Sequence, residues 1–273
     1  MTPIRPLLLI VLASASWGGC SGPADAPGPD AAGADAAVPD AVAPDAPAPD
    51  AAVDADPASP RPILRYDLDG DTANRGTLGP AHAGVASSTG WVAGRRGQAI
   101  EFTGSTASTL VLPGTANLLA TTPQLTIGLW VRETALPAGP IVHYLIDNRC
   151  CSGSTDRGFQ TYHGRDGAPL TTCSAGGCAT ISYQPGAWRH LSYRYDATAG
   201  ARLELFVDGT PAGVIANPGA VPILGPGLDD LQLGFNTLAQ LDDVVIYDRV
   251  FTDEEQCALV VGGAWTGTAC QLP

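Results

Sequence analysis

The chain has 273 residues, with 14 Lys and Arg against 27 Asp and Glu, and a net charge of −13 at pH 7. Eight of the acids, Asp25, Asp30, Asp35, Asp40, Asp45, Asp50, Asp54 and Asp56, crowd the N-terminal region with no basic residue among them. The remainder is only mildly acidic and has no basic stripe of the kind that phosphate contacts need, which argues against a nucleic-acid partner.

The N-terminus reads as an export signal. Arg5 supplies a positive charge, Leu7 to Ala13 a short apolar run, and Trp17-Gly18-Gly19-Cys20 a small-residue site ending in cysteine; the run is too short to cross a bilayer as a helix. The pattern resembles a bacterial lipoprotein signal, in which Cys20 becomes the lipid-modified first residue, so membrane contact is expected through that anchor only. Trp17 stands where that motif usually has an aliphatic residue, and Ala13-Ser14-Ala15 offers ordinary secretion as the alternative. Cysteine parity favours the lipoprotein: of Cys20, Cys150, Cys151, Cys173, Cys178, Cys257 and Cys270, removal of Cys20 leaves six that pair completely. Ser21, where an aspartate would retain some lipoproteins in the inner membrane, points to the outer membrane of the cell envelope.

From Ser21 to about Arg61 the composition collapses to Ala, Pro, Asp, Gly and Val, with Asp every five residues from Asp25 to Asp50. Such a segment cannot bury a core, and proline with like-charge repulsion makes it a semi-stiff disordered tether. Residues 62–273 then suit one all-β domain. Short β-rich runs are bounded by Gly, Pro, Asn and Asp: Ile63–Leu68, Gln98–Phe102, Thr109–Leu112, Leu125–Arg132, Ile141–Asp147, Gly158–His163, Ala179–Tyr183, Trp188–Tyr195, Ala201–Val207, Asp230–Phe235 and Leu241–Tyr247. Leu191, Tyr193 and Tyr195 share one face of their strand, and Asp208-Gly209 supplies a hairpin turn. Thr252 with Glu255 three residues on forms a capping box, so one short helix starts there.

Five phrases carry a resemblance. GRRGQAIEFTG (Gly94 to Gly104), LTIGLWVR (Leu125 to Arg132), WRHLSYRYDATAG (Trp188 to Gly200), LELFVDG (Leu203 to Gly209) and LDDVVIYDRVFTDEE (Leu241 to Glu255) occur in the order found in laminin-G-like domains. The chain is therefore identified as resembling the laminin-G-like family of the concanavalin A-like lectin/glucanase superfamily, over nearly all of Leu64 to Leu259. The resemblance implies an antiparallel two-sheet jelly-roll sandwich that serves mostly to bind sugars, proteins or other surface ligands.

Some members of that family hold a structural calcium where the first and last strands meet, which makes Asp69, Asp71 and Asp242 the expected ligands. Asp67, Asp69 and Asp71 alternate along an extended run and so point the same way, although solvated turn aspartates explain them equally well. Cys150 and Cys151, as adjacent strand residues, face opposite ways, so each is expected to reach one of Cys173 and Cys178, with Cys257–Cys270 pinning the tail. A four-thiol zinc site is disfavoured by export and by the Cys-Cys spacing.

No catalytic residues are expected. Glycoside hydrolases on this scaffold need two acids about 5–9 Å apart, whereas Glu101, Glu133 and Glu204 are isolated at alternating positions that read as solvent-facing, and His82, His143, His163 and His190 are scattered. The expected ligand surface is the insertion from Asp147 to Tyr183, with Arg149, Asp156, Arg157, Phe159, Tyr162, His163 and Arg165; aromatics beside charges suit sugar stacking or a protein hot spot. The chain is thus expected to be a non-catalytic, exported binding or adhesion module whose partner is a glycan or a surface protein. The alternatives are a structural domain of a larger cell-envelope complex and a glycosidase-like enzyme.

Overall fold

Period-two apolar runs pair into two antiparallel sheets. The computed structural model describes residues 60–136, 141–148, 158–165, 168–174, 177–182, 184–216 and 228–272, which lie in the unit Ala55–Pro273. In spatial order the eight-stranded sheet holds β13 (Thr210–Ala216), β12 (Arg202–Val207), β11 (Arg189–Asp196), β6 (Gln124–Glu133), β15 (Ala239–Tyr247), β4 (Gln98–Phe102) and β3 (Thr89–Ala93), with β1 (Leu64–Tyr66) also paired to β15. The seven-stranded sheet holds β10 (Gly177–Thr180), β9 (Leu170–Ser174), β8 (Phe159–His163), β7 (His143–Asp147), β14 (Leu231–Leu233), β5 (Thr109–Leu112) and β2 (Val85–Ser87). This is the expected antiparallel sandwich.

Alternation decides which side chains meet between the sheets. Leu125, Ile127, Leu129 and Val131 of β6 and Leu191, Tyr193 and Tyr195 of β11 face Leu110, Leu112, Phe159, Leu231 and Leu233 from the opposite sheet, and all are buried. Each fully buried side chain of this kind contributes about 1.5–3 kcal/mol. Two strands break period two without losing their apolar faces. In β15 the register shifts between Asp242 and Val245, with Asp243 at φ 47°, and this bulge absorbs one residue so that Leu241, Val244 and Ile246 are all buried. A similar shift in β7 between Tyr144 and Ile146 buries both Leu145 and Ile146. The Asp208-Gly209 turn forms as expected, both residues having positive φ between the paired Val207 and Thr210.

The strands β2, β3, β9 and β13 and the helix α1 (Thr115–Thr121) stand where the sequence marks none. The run expected at Ala179–Tyr183 is instead β10, at Gly177–Thr180, folded back as a hairpin on β9. That hairpin corrects the cystine pairing. Cys173 and Cys178 are direct register partners, with Cα atoms 4.1 Å apart, and they bond to each other rather than to Cys150 or Cys151; the latter two lie outside the described residues. Cys257–Cys270 forms as expected.

The capping box is present: the Thr252 hydroxyl accepts from Glu255 N at 3.2 Å while Glu255 Oε2 accepts from Thr252 N at 2.9 Å. It starts α2 (Asp253–Glu255), which runs into a π-helical stretch, Gln256–Val261. This segment lies on the outer face of the eight-stranded sheet. Gln256 Nε2 donates to Ser192 Oγ at 2.6 Å, Arg194 Nη1 to Phe251 O at 2.7 Å, and Thr126 Oγ1 to Arg249 O at 2.8 Å. The covering segment buries the polar face of β11, His190, Ser192 and Arg194, and those bonds give Ser192 and Arg194 partners there. Among the described residues no helix is long and apolar enough to cross a membrane.

Candidate functional site

The outer face of the seven-stranded sheet presents a band of aromatic and amide side chains. On β8, Phe159, Thr161 and His163 are buried, which sends Gln160 and Tyr162 outward. Register places Tyr162 opposite Tyr144 and Gln160 opposite Asp147, and Gln232 of β14 pairs with Asp147 on the other side. The Tyr144 ring lies 5.7 Å from that of Tyr162 and 6.0 Å from that of Phe235, so three half-buried rings form one row. Phe235 is held beside β7 by its own carbonyl, which accepts from Tyr144 N at 3.0 Å. Cys173 pairs with Gln160 in register, and the Tyr162 hydroxyl is 3.4 Å from its sulfur, so the Cys173–Cys178 bridge borders the row.

Such a face has a defined chemistry. Rings with exposed π surface stack on the apolar faces of pyranose or furanose rings, and neighbouring amides and a carboxylate exchange hydrogen bonds with sugar hydroxyls. Tyr162 is the one residue of the expected ligand set that stands here. Phe159 is a core residue, packed 5.3 Å from Tyr193. His163 is also interior: Nδ1 lies 2.7 Å from Ala168 O and Nε2 2.9 Å from Glu133 Oε2. Burial pushes its pKa down, but the Glu133 carboxylate and the Ala168 carbonyl outweigh that and leave it raised. Arg165 is exposed in the turn after β8, while Arg149, Asp156 and Arg157 lie outside the described residues. Glu133, expected to face solvent, is buried by the same pairing. Tyr144, Phe235, Gln160 and Gln232 were not among the expected residues; the β7 bulge hides Tyr144 from an alternation test.

The three expected calcium ligands do not converge. Asp71 is turned to Arg75, with both carboxylate oxygens taken by its guanidinium at 3.0 and 3.1 Å. Asp69 Oδ1 accepts from Gln98 N at 2.6 Å, and the fully buried Asp242 accepts from the Arg95 and Arg96 amides through Oδ2 at 2.9 and 3.1 Å. Both carboxylates therefore clamp the Gly94–Gly97 turn between β3 and β4. Burial and the charges of Asp243 and Asp69, opposed by those two amides, push the Asp242 carboxyl up to about 7. Among the described residues no three His, Cys, Asp or Glu side chains gather as a metal ion requires, so Asp69, Asp71 and Asp242 do not form one site together.

Residues 103–255 match the concanavalin A-like lectin/glucanases superfamily in its laminin-G branch. The chain belongs to this family. No curated protein matches its sequence. Among solved structures this laminin-G-like chain is similar to the binding domain of Paraclostridial Mosquitocidal Protein 1 (15% identity, TM-score 0.57, covering 74% of this chain and 52% of that one). It is similar to domain 4 of AbnA, a GH43 extracellular arabinanase from Geobacillus stearothermophilus solved in complex with arabinotriose (18%, TM-score 0.54, 74% and 100%). The binding domain of botulinum neurotoxin serotype C1 also matches (8%, TM-score 0.55, 71% and 50%). The laminin-G-like chain thus spans about half the length of the two toxin domains and the whole of the arabinanase domain. At these identities the likeness is one of fold.

Proposed function

We propose that the domain is a non-catalytic extracytoplasmic module that binds an extended glycan along the Tyr162–Tyr144–Phe235 row. The single observation that carries this reading is the row itself: three rings on one sheet face, flanked by Gln160, Asp147 and Gln232. It is supported by the arabinotriose complex of the arabinanase domain, which has the same fold. A catalytic role draws no support from the buried acid Glu133, which is tied to His163 between the sheets and faces neither outer surface. Two cystines suit an oxidising, exported location. In this reading a lipid on Cys20 anchors the domain to the envelope.

A glycan array probed with the full chain tests it. Binding to one family of neutral oligosaccharides is expected, lost in Tyr144→Ala and Tyr162→Ala while thermal stability is kept. Co-purification with a fixed protein partner and no glycan signal would instead favour assembly into an envelope complex. Hydrolysis of the bound glycan would overturn the non-catalytic reading.

A further inference from the structure

The outer face of the opposite, eight-stranded sheet carries a cleft of about 200 Å³, room for a single sugar ring. Arg65 and Arg96 are exposed at its edges, Asp243 and Val245 are half-buried within it, and Tyr247 and Trp130 supply nearly buried aromatic surface. Sequence and fold together place these groups. Arg65 pairs with Val245 across β1 and β15, so both point outward, while the β15 bulge turns Asp243 out beside them. Arg96 belongs to the β3–β4 turn, whose conformation is fixed by the buried Asp242 carboxylate through two amides, by Asp69 through Gln98 N, and by the Gly94 N to Gly97 O bond at 3.0 Å. The Arg96 guanidinium is therefore delivered to the cleft by a turn pinned at four backbone amides.

The charges in the cleft specify a ligand. With Arg65 paired to Asp67, Arg96 and Asp243 remain as the two opposite charges facing the cleft, and a guanidinium fork binds a carboxylate through two parallel hydrogen bonds. Asp243 needs hydrogen-bond donors, which a sugar hydroxyl provides and a second anion does not. Arg65 Nε is already bonded to Asp67 at 2.6 Å, so Arg96 is the better placed of the two to grip an anion. Val245 and Tyr247 present an apolar floor to the ring itself. A neutral sugar brings no anion to the Arg96 fork beyond Asp243 itself, and an acidic peptide side chain brings no donor to Asp243.

We propose that this cleft is a second binding subsite, specific for an acidic sugar of the hexuronate class, with the carboxylate on Arg96 and a ring hydroxyl donating to Asp243. The inference rests on reading the domain as carbohydrate-binding, but it uses the opposite sheet and a different chemistry.

Calorimetric titration of the full chain with galacturonate and with galactose, which differ at one carboxylate, tests it. Galacturonate should bind about tenfold more tightly at low salt, the advantage shrinking as ionic strength rises. Arg96→Gln should erase that advantage and Arg96→Lys keep part of it, with melting temperatures unchanged because Arg96 holds its turn through the backbone. Tyr162→Ala, on the other sheet, should leave galacturonate binding intact. Equal affinity for the two sugars, an advantage that survives Arg96→Gln, or loss of galacturonate binding in Tyr162→Ala would each sink the subsite, and equal competition by triglutamate would refute the sugar class. Arg96-dependent galacturonate binding without any glycan bound at the Tyr144–Tyr162 row would refute the aromatic-row reading and leave this one standing.

Discussion

Glu133 Oε2 lies 2.9 Å from His163 Nε2 between the two sheets, with both side chains almost wholly buried. The Ala168 carbonyl accepts from Nδ1 at 2.7 Å, so the imidazole spans the sandwich from β8 to β6. Removing one member of a buried pair leaves the other without compensation. His163→Ala is therefore expected to destabilise the domain by about 3–5 kcal/mol, read from urea denaturation midpoints. The histidine pKa is raised in the folded state, so its contribution is fully present below the unfolded value of 6.5 and is lost as pH rises through the folded value. Wild-type stability should fall as pH rises from 6.5 through that value and level off above it, and His163→Gln should flatten the fall. A steeper slope in the variant would overturn the pairing.

Asp242 has the same sign by a different route. Its folded value of about 7 stands above the ordinary 3.8, mainly through burial, so folding favours the protonated acid and stability declines as pH rises from about 4 to 7. Asp242→Asn keeps an oxygen for the Arg95 and Arg96 amides and removes the buried charge. Melts at pH 8 should show the variant more stable by ~1–3 kcal/mol, with the difference vanishing near pH 4. A variant less stable at both pH values would contradict this.

Gly128 lies under the C-terminal segment, where an added Cβ would come within 2.3 Å of Val260 Cγ1. Gly128→Val should cost ~1–3 kcal/mol by overpacking and lift the segment Gln256–Val261 from the sheet. Limited proteolysis reads this as faster cleavage in that segment; unchanged protection would show that the strand shifts instead.

Two aromatics on opposite faces of β8 separate fold from function. Phe159→Ala empties a core position 5.3 Å from Tyr193 and should cost ~3–5 kcal/mol, whereas the outward Tyr162→Ala should cost under ~1 kcal/mol. Paired melts and glycan titrations should show the first losing stability and the second losing ligand. The reverse pattern would invert the assignment of the two faces.

The expected ligand residues divide along this same boundary. The sequence marks Phe159, Tyr162 and His163 alike as aromatics in an insertion, since composition does not say which way a strand faces. Period two separates Tyr162 from the other two only when the strand is known to start at Phe159 and to lie with Phe159 against Tyr193. Tyr144 was hidden by a bulge and Phe235 by its place beyond a three-residue strand. The expected bridges from Cys173 and Cys178 to Cys150 and Cys151 failed for a related reason: two adjacent cysteines suggest a reach across the insertion, but a hairpin four residues to a side sets Cys173 against Cys178 first.

What the sequence by itself determined is what local chemistry encodes: the strands with strict alternation, the Asp208-Gly209 turn, the Thr252–Glu255 cap, and five phrases whose order names a family. Each depends on residues within a few positions of one another. The tertiary structure alone decided where the other acids went, burying Glu133 against His163 and setting Asp69 and Asp242 to clamp one turn. It also assembled Tyr144, Tyr162 and Phe235 into a row. Those outcomes depend on strand register and bulges across separations of tens to more than a hundred residues, where a one-residue slip exchanges the core face for the solvent face.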